Sequence, residues 1–364
     1  MITRREFGAA VAVAPIVAAT IAARQDDVYD RSIVIDALAN PGSMNVSWPP
    51  RGPLSQKQRD AIAGSGITAI NVTVSADFEG SVRNIALWQG EADRYPTLLS
   101  IVRRHEDIAR AKKDKTLGLM LGFQNTDMIE RDLSRLDLFY RLGIRIIQLT
   151  YNDRNLVGDG CLEPGNAGLS SFGRQVVERM NTLGVAVDLS HCGTQTTADG
   201  IATSTKPPLI THSGCREVFR HPRSKEDREL KAMADKGGVV GIYFMPFIGP
   251  GPGAPTVEML LRQIDHAIKV CGADHVGIGS DLSVTPIEET PEYLREHRSF
   301  VDARAKRGIS APEESRPLFI PELNHPRRLE GVVRGMRQRQ HSTDVIEKVI
   351  GGNFHRVFKE IWTL

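Results

Sequence analysis

The chain has 364 residues, of which 41% are hydrophobic and 25% charged, and its net charge is +2. That balance suits a soluble protein with a large core and excludes the strongly basic field that nucleic-acid binding draws on. No zinc-finger spacing, phosphate loop with its Lys, or aromatic RNA-binding signature is present.

The chain begins "MITRREFGAAVAVAPIVAATIAARQ". Arg4 and Arg5 precede Phe7, and an Ala/Val-rich stretch follows. Residues 1–24 resemble a twin-arginine export signal, which predicts a periplasmic or otherwise extracytoplasmic location. An uncleaved membrane tether is the alternative, although Pro15 and the short apolar length make a poor span. Residues 30–364 read as one domain.

Eight short apolar runs follow, each lacking the polar alternation of a half-exposed strand. They are "SIVIDA" (32–37), "GITAINVTVS" (66–75), "LGLMLGF" (117–123), "IRIIQLTY" (144–151), "VAVDLSH" (185–191), "PLITHS" (208–213), "GGVVGIYF" (237–244) and "HVGIGSD" (275–281). Helical patterns separate most of them, several ending on a glycine suited to a C-cap: Gly143, Gly184 and Gly272. Eight strand–helix units predict an α/β fold, a (β/α)8 TIM barrel. An open doubly wound sheet is the rival. Residues 284–325, rich in Glu, Arg and Pro, read as a loop insertion after strand eight, near the mouth. Helical patterns close the chain at 326–337, 343–350 and 354–362.

In a parallel barrel the active site lies where the strands end. Strand one leads to Leu38 and Asn40, strand three to Gln124, and strand four to Tyr151 and Asn152. Strand five ends on His191, strand six on His212 and strand eight on Asp281. Two imidazoles on adjacent strands and an Asp are ligand types for a divalent ion such as zinc. Asp281 is either a ligand or a carrier of the proton to a leaving amine. Arg223, in the loop after strand six, is placed to clamp a substrate carboxylate or to pair with Glu226 or Asp227. The remaining histidines lack strand-end positions and read as structural or surface groups. The four cysteines, Cys161, Cys192, Cys215 and Cys271, form no C-x-x-C pair. Small buried thiols are the main reading, and a Cys192–Cys215 bridge the alternative.

"GIRIIQLTYNDRNLVGDGC", "VDLSH", "PLITHSGCREVFRHPRS", "VGIGSD" and "GGNFHRVF" together resemble the membrane (renal) dipeptidase family, from about residue 30 to the end. The resemblance implies an amidohydrolase-like barrel with two zinc ions that cleaves a dipeptide amide. It implies that His191 and His212 hold one zinc, and that Asp281 serves the other zinc and proton transfer. It further implies that Arg223 binds the substrate carboxylate. Tyr151, with Asn152 beside it, falls where the family has a substrate-contacting His. A homodimer is implied by the family alone.

The departures fall on one half of the site. The family's first-strand "DGHND" is "DALAN" here, so Leu38 and Asn40 replace two ligands of the first zinc, and Gln124 replaces the bridging Glu. One zinc held by His191, His212, Gln124 and Asp281 is therefore expected rather than two, with none as the limiting case. Asp36, Cys192 and Cys215 are spare ligand candidates. The expected function is a metallohydrolase acting on a dipeptide or a similar carboxylate-bearing amide. Two alternatives stay open: a metal-free acid–base enzyme (lyase or isomerase), and a barrel that binds a ligand without turnover.

Overall fold

The computed structural model describes residues 27–42 and 53–363, so the twin-arginine segment lies outside the described residues. All eight apolar runs contain a strand. We number these β1 (Ile35–Asp36), β2 (Ala69–Thr73), β3 (Leu117–Phe123), β4 (Ile144–Gln148), β5 (Ala186–Asp188), β6 (Leu209–Ser213), β7 (Val239–Ile242) and β8 (Val276–Ile278). Each pairs in parallel with the next around a nearly closed sheet. The seam between β8 and β1 is bridged where Ala37 N–H donates to Ile278 O at 2.8 Å. Just above it, Leu282–Ser283 pairs with Ala39–Asn40. The strands are buried on both faces, which is why their sequences lack polar alternation.

The predicted caps form at Gly143 and Gly184, both left-handed at φ 110° and 68°. Gly272 also ends its helix at positive φ, but with ψ 156° it leaves in an extended direction. A short strand not anticipated, Leu99–Ile101, pairs with the first half of β3. Its three residues are too few to show a period.

The C-terminal helix Asn353–Ile361 closes the lower end. Phe354, Val357 and Phe358 share one buried cluster with Ile35, Ala69, Ala186, Leu209 and Val239, the early residues of five strands. With the floor sealed, the upper ends of the strands form the mouth.

The insertion after β8 is not a bare loop. It contains the 16-residue helix Pro291–Lys306, started by Thr290, whose hydroxyl accepts from Tyr293 N at 3.1 Å, with Pro291 in the first turn. The Thr-Pro-Glu sequence is a start signal, but the helix is mostly charged and shows no strong apolar stripe.

Candidate active site

Three bonds make the insertion a roof across the mouth. The amide Nδ2 of Asn152, beyond β4, donates to Ile309 O at 2.8 Å. His221, in the loop after β6, donates from Nε2 to Pro312 O at 3.0 Å. Arg304 donates to the Tyr151 hydroxyl at 3.2 Å, and its guanidinium is held by Glu314 at 2.8 Å. Beneath this roof is a cavity of about 650 Å³.

His191 lines its base and meets the fully buried His212 behind it, with Nε2 facing Nε2 at 3.0 Å. β8 and β7 make this possible from below: a Cβ on Gly279 or Gly241 would sit 1.9 or 2.0 Å from Thr211 O, directly under His212. The tautomers follow from counting donors. Asn152 points its NH2 at Ile309 O, so its Oδ1 faces His191 Nδ1 at 2.6 Å, and that nitrogen carries the proton. Behind His212 lies Asp188, buried in β5. Thr211 donates its hydroxyl to Asp188 Oδ2 at 2.6 Å, and Ser190 donates its own to Asp188 Oδ1 at 2.5 Å. The backbone N–H groups of Ser190 and Thr211 also donate to Asp188, each at 3.0 Å. Thr211 Oγ1 is thereby left as an acceptor, so His212 Nδ1, 2.9 Å away, is the donor. Both Nε2 atoms present lone pairs, aimed at each other. Burial, and next the positive charge of Arg223, hold both imidazoles well below their ordinary pKa, which keeps them neutral.

Gln124 stands beside them, its amide nitrogen 3.4 Å from His212 Nε2, and a half-turn of the amide presents oxygen instead. Tyr151 stacks on His191, ring centres 4.2 Å apart, and burial raises its phenol pKa. Arg223 is 2% exposed. Its Nη1 donates to Ser190 O at 2.7 Å and its Nη2 to His212 O at 3.3 Å, which fixes the guanidinium at the cavity wall. It does not pair with Glu226 or Asp227, which serve Arg216 and His266.

Asp281 lines the same cavity in a left-handed conformation, φ 60°, unusual for a residue with a Cβ. Its N–H donates to Leu38 O at 2.9 Å, but among the described residues its carboxylate receives no hydrogen bond. Burial pushes its pKa up to about 7, against the pull of Arg223. Among the described residues, the triad presenting three His, Cys or carboxylate ligand atoms within 4.8 Å of one another is Glu217, Asp227 and His266, outside this cavity. His191, His212 and Asp281 therefore do not close into one compact three-ligand grip, which departs from the expectation that Asp281 shares their ion.

Other expectations also change. Asn152, expected to touch substrate, spends both ends of its amide on His191 and Ile309. Asp36 is not a spare ligand: it is fully buried, paired with Arg328 at 2.9 Å, and accepts from Ser280 N at 2.7 Å. Cys192 accepts from the Thr150 hydroxyl at 3.4 Å and Cys215 donates to Gln263 O at 3.6 Å, so both sulfurs are engaged elsewhere. All four cysteines are free thiols. Leu38 is buried at the cavity edge, and Asn40 accepts from Gly42 N at 2.8 Å. Sequence reasoning missed Thr211, Ser190, Asp188, Arg304 and Glu314. Asp188 and Ser190, polar groups inside an apolar run, were the available signal.

Residues 56–313 match the model of the membrane dipeptidase family, peptidase family M19. The dipeptidase tcpJ of Claviceps purpurea is 26% identical over 289 residues, which take in 79% of this chain and 61% of tcpJ, so the match spans less than two thirds of that relative. An amidohydrolase from Pseudomonas aeruginosa superposes with a TM-score of 0.81 at 30% identity, over 93% of this chain and 98% of that one. A metallopeptidase from Rhodobacter sphaeroides, liganded with a phosphinate mimic of the dipeptide L-Ala-D-Ala, shares the fold at a TM-score of 0.72 and 17% identity, over 91% of this chain and 100% of that one. The match to the family model covers well over half of the sequence, and the chain belongs to the membrane dipeptidase family.

Proposed function

We propose that this cavity is the active site of a hydrolase that uses one divalent ion, zinc by the chemistry of the ligands, to cleave the amide of a small carboxylate-bearing substrate. One observation carries the reading: two buried, neutral imidazoles aim their Nε2 lone pairs at each other across 3.0 Å. That contact repels unless a cation sits against both nitrogens, and fixed tautomers with supported Nδ1–H groups are the usual dress of metal-binding histidines. The donor set fits one ion on His191 and His212, with Gln124 as a neutral third ligand. It does not fit two. Leu38 has no donor, Asn40 is turned to Gly42, and no carboxylate stands between two ion positions to offset their repulsion.

When bound, the ion supplies Lewis acidity toward the amide carbonyl and toward water. The chain's own groups do the rest. Arg223, already fixed by two carbonyls, offers its remaining N–H groups to the substrate carboxylate. Asp281, with its proton affinity raised to about 7, takes a proton from water and returns it to the leaving nitrogen. Tyr151, held by Arg304, packs against His191 and shields that ring from water. Export through the twin-arginine segment and homodimerisation remain part of this proposal.

Elemental analysis of protein purified without added metal tests it. The expected result is about one zinc per chain, amide hydrolysis that stops on chelation, and recovery when zinc is returned. Full activity in metal-free protein overturns it and favours the acid–base alternative, which the unpartnered Asp281 carboxylate would serve.

A further inference from the structure

The cavity wall divides by position around the barrel. The ends of β2 through β6 contribute its polar arc, including Ser75, Gln124, Tyr151, His191 and the loop residue Arg223. The ends of β7, β8 and β1 are contiguous across the seam, and with the roof they contribute a mostly apolar arc of Leu38, Met245, Phe247, Leu282, Phe300 and Leu318, interrupted by Asn40, Asp281 and the roof's Arg304, Arg307 and Glu314. Two of these are held together by backbone: Leu282 pairs with Ala39, next to Leu38. Phe300, on the roof helix, is 39% exposed at the cavity edge, with the Arg304 guanidinium 5.1 Å from the centre of its ring.

A free dipeptide brings an α-ammonium on its acyl side. On the apolar arc that charge meets one strand-end carboxylate, Asp281, between Leu38 and Leu282. Glu314 in the roof is occupied, accepting from Arg304 at 2.9 Å and from the Ser310 hydroxyl at 2.6 Å. An ammonium paired with Asp281 would occupy that carboxylate and weaken it as the acceptor of water's proton, besides losing its own hydration. An apolar acyl group has the opposite balance, since it gains by leaving water and leaves Asp281 free. The volume agrees, for about 650 Å³ lies within the range of roughly 300–1,000 Å³ that encloses drug-sized ligands.

We propose that the cavity takes amides whose acyl side is a bulky apolar group without an ammonium, that is N-acyl amino acids, in preference to free dipeptides. The proposal rests on the reading of this cavity as the substrate site of a hydrolase. The test is a matched pair differing in that ammonium alone: phenylalanyl-alanine and 3-phenylpropanoyl-alanine, with alanine of either hand, given to the full chain with its metal content as purified. The expected result is a kcat/KM at least about tenfold higher for the 3-phenylpropanoyl compound, an advantage that Phe300→Ala reduces. Equal or faster cleavage of phenylalanyl-alanine overturns the proposal. If neither compound is cleaved, the hydrolase reading fails by itself, and calorimetric binding of the same pair decides: tighter binding of the 3-phenylpropanoyl compound supports the apolar arc, and equal or weaker binding overturns it.

Discussion

The two arcs of the barrel mouth are built to different rules. On the polar arc both histidines and Arg223 have a second group behind them. Asn152 and the Ile309 carbonyl stand behind His191, Thr211 and Asp188 behind His212, and the Ser190 and His212 carbonyls behind Arg223. On the apolar arc the Asp281 carboxylate has no hydrogen-bonded support among the described residues, and the side chains of its neighbours Leu38 and Leu282 offer none; only its backbone N–H is held, by Leu38 O. A site holds its geometry through such supporting groups. The contrast implies that the polar arc is set before substrate arrives, while Asp281 gains its partners from water and substrate.

Removing a histidine from the supported arc should have the largest effect. His212→Ala deletes one of the two imidazoles proposed to hold the ion, and loss of bound zinc together with a fall in kcat/KM on the order of a thousandfold, about 4 kcal/mol, is expected. Elemental analysis and kinetics on the same sample check both. If His212→Ala retains its metal and its rate, the two arcs do not differ as described.

A subtler change probes the support itself. Thr211→Val keeps the shape of the side chain but removes the hydroxyl that makes His212 Nδ1 the protonated nitrogen. Zinc affinity should fall roughly 10–100-fold, as for other groups that orient a metal-binding histidine. Thr211→Ser should restore most of it. Nitrogen-15 shifts of the metal-free protein report the tautomer directly, with His212 protonated on Nδ1 in the wild type and in Thr211→Ser, and mixed in Thr211→Val. An unchanged tautomer in Thr211→Val would show that Asp188 and Thr211 serve the fold alone.

How much of this was legible follows the same division. The strands declared themselves because burial on both faces leaves runs such as "LGLMLGF" with no polar residue, and strand ends locate a barrel's mouth. His191 and His212 could be named from that alone, whereas Arg223, in the loop after β6, stood out only as one of two readings until the family resemblance was added. Their supports could not be named. The Thr211–Asp188 bond depends on β5 and β6 lying side by side in a particular register, and the anchor points Ile309 and Pro312 act through backbone carbonyls, which have no side-chain signature. The same limit explains Asn152, whose place beside Tyr151 suggests substrate contact although its amide is used up on either side. The roof helix was hidden by its charge, since its role is to carry Arg304 and Phe300 over the mouth rather than to bury a broad apolar face.

The prediction with the smallest consequence for activity concerns the junction between the arcs. His221 joins the β6 loop to the roof through Pro312 and stacks on Phe247 beyond β7, ring centres 4.5 Å apart. Its Nδ1 accepts the backbone N–H of Arg223 at 3.1 Å, so the ring is useful only while neutral. Burial lowers its pKa to about 4, although the Pro312 carbonyl pulls the other way. The unfolded chain, with an ordinary histidine value near 6.5, therefore binds the proton first as pH falls. Stability on this account is complete above about pH 6.5, declines between about 6.5 and 4, and stays level below that, a loss on the order of 3 kcal/mol. Denaturant unfolding across that range, compared with His221→Asn, measures it. The variant should start less stable at neutral pH because the ring contact is gone, yet show a shallower decline toward pH 4. Parallel slopes for the two proteins would place the acid sensitivity elsewhere and leave the junction between the arcs indifferent to protonation.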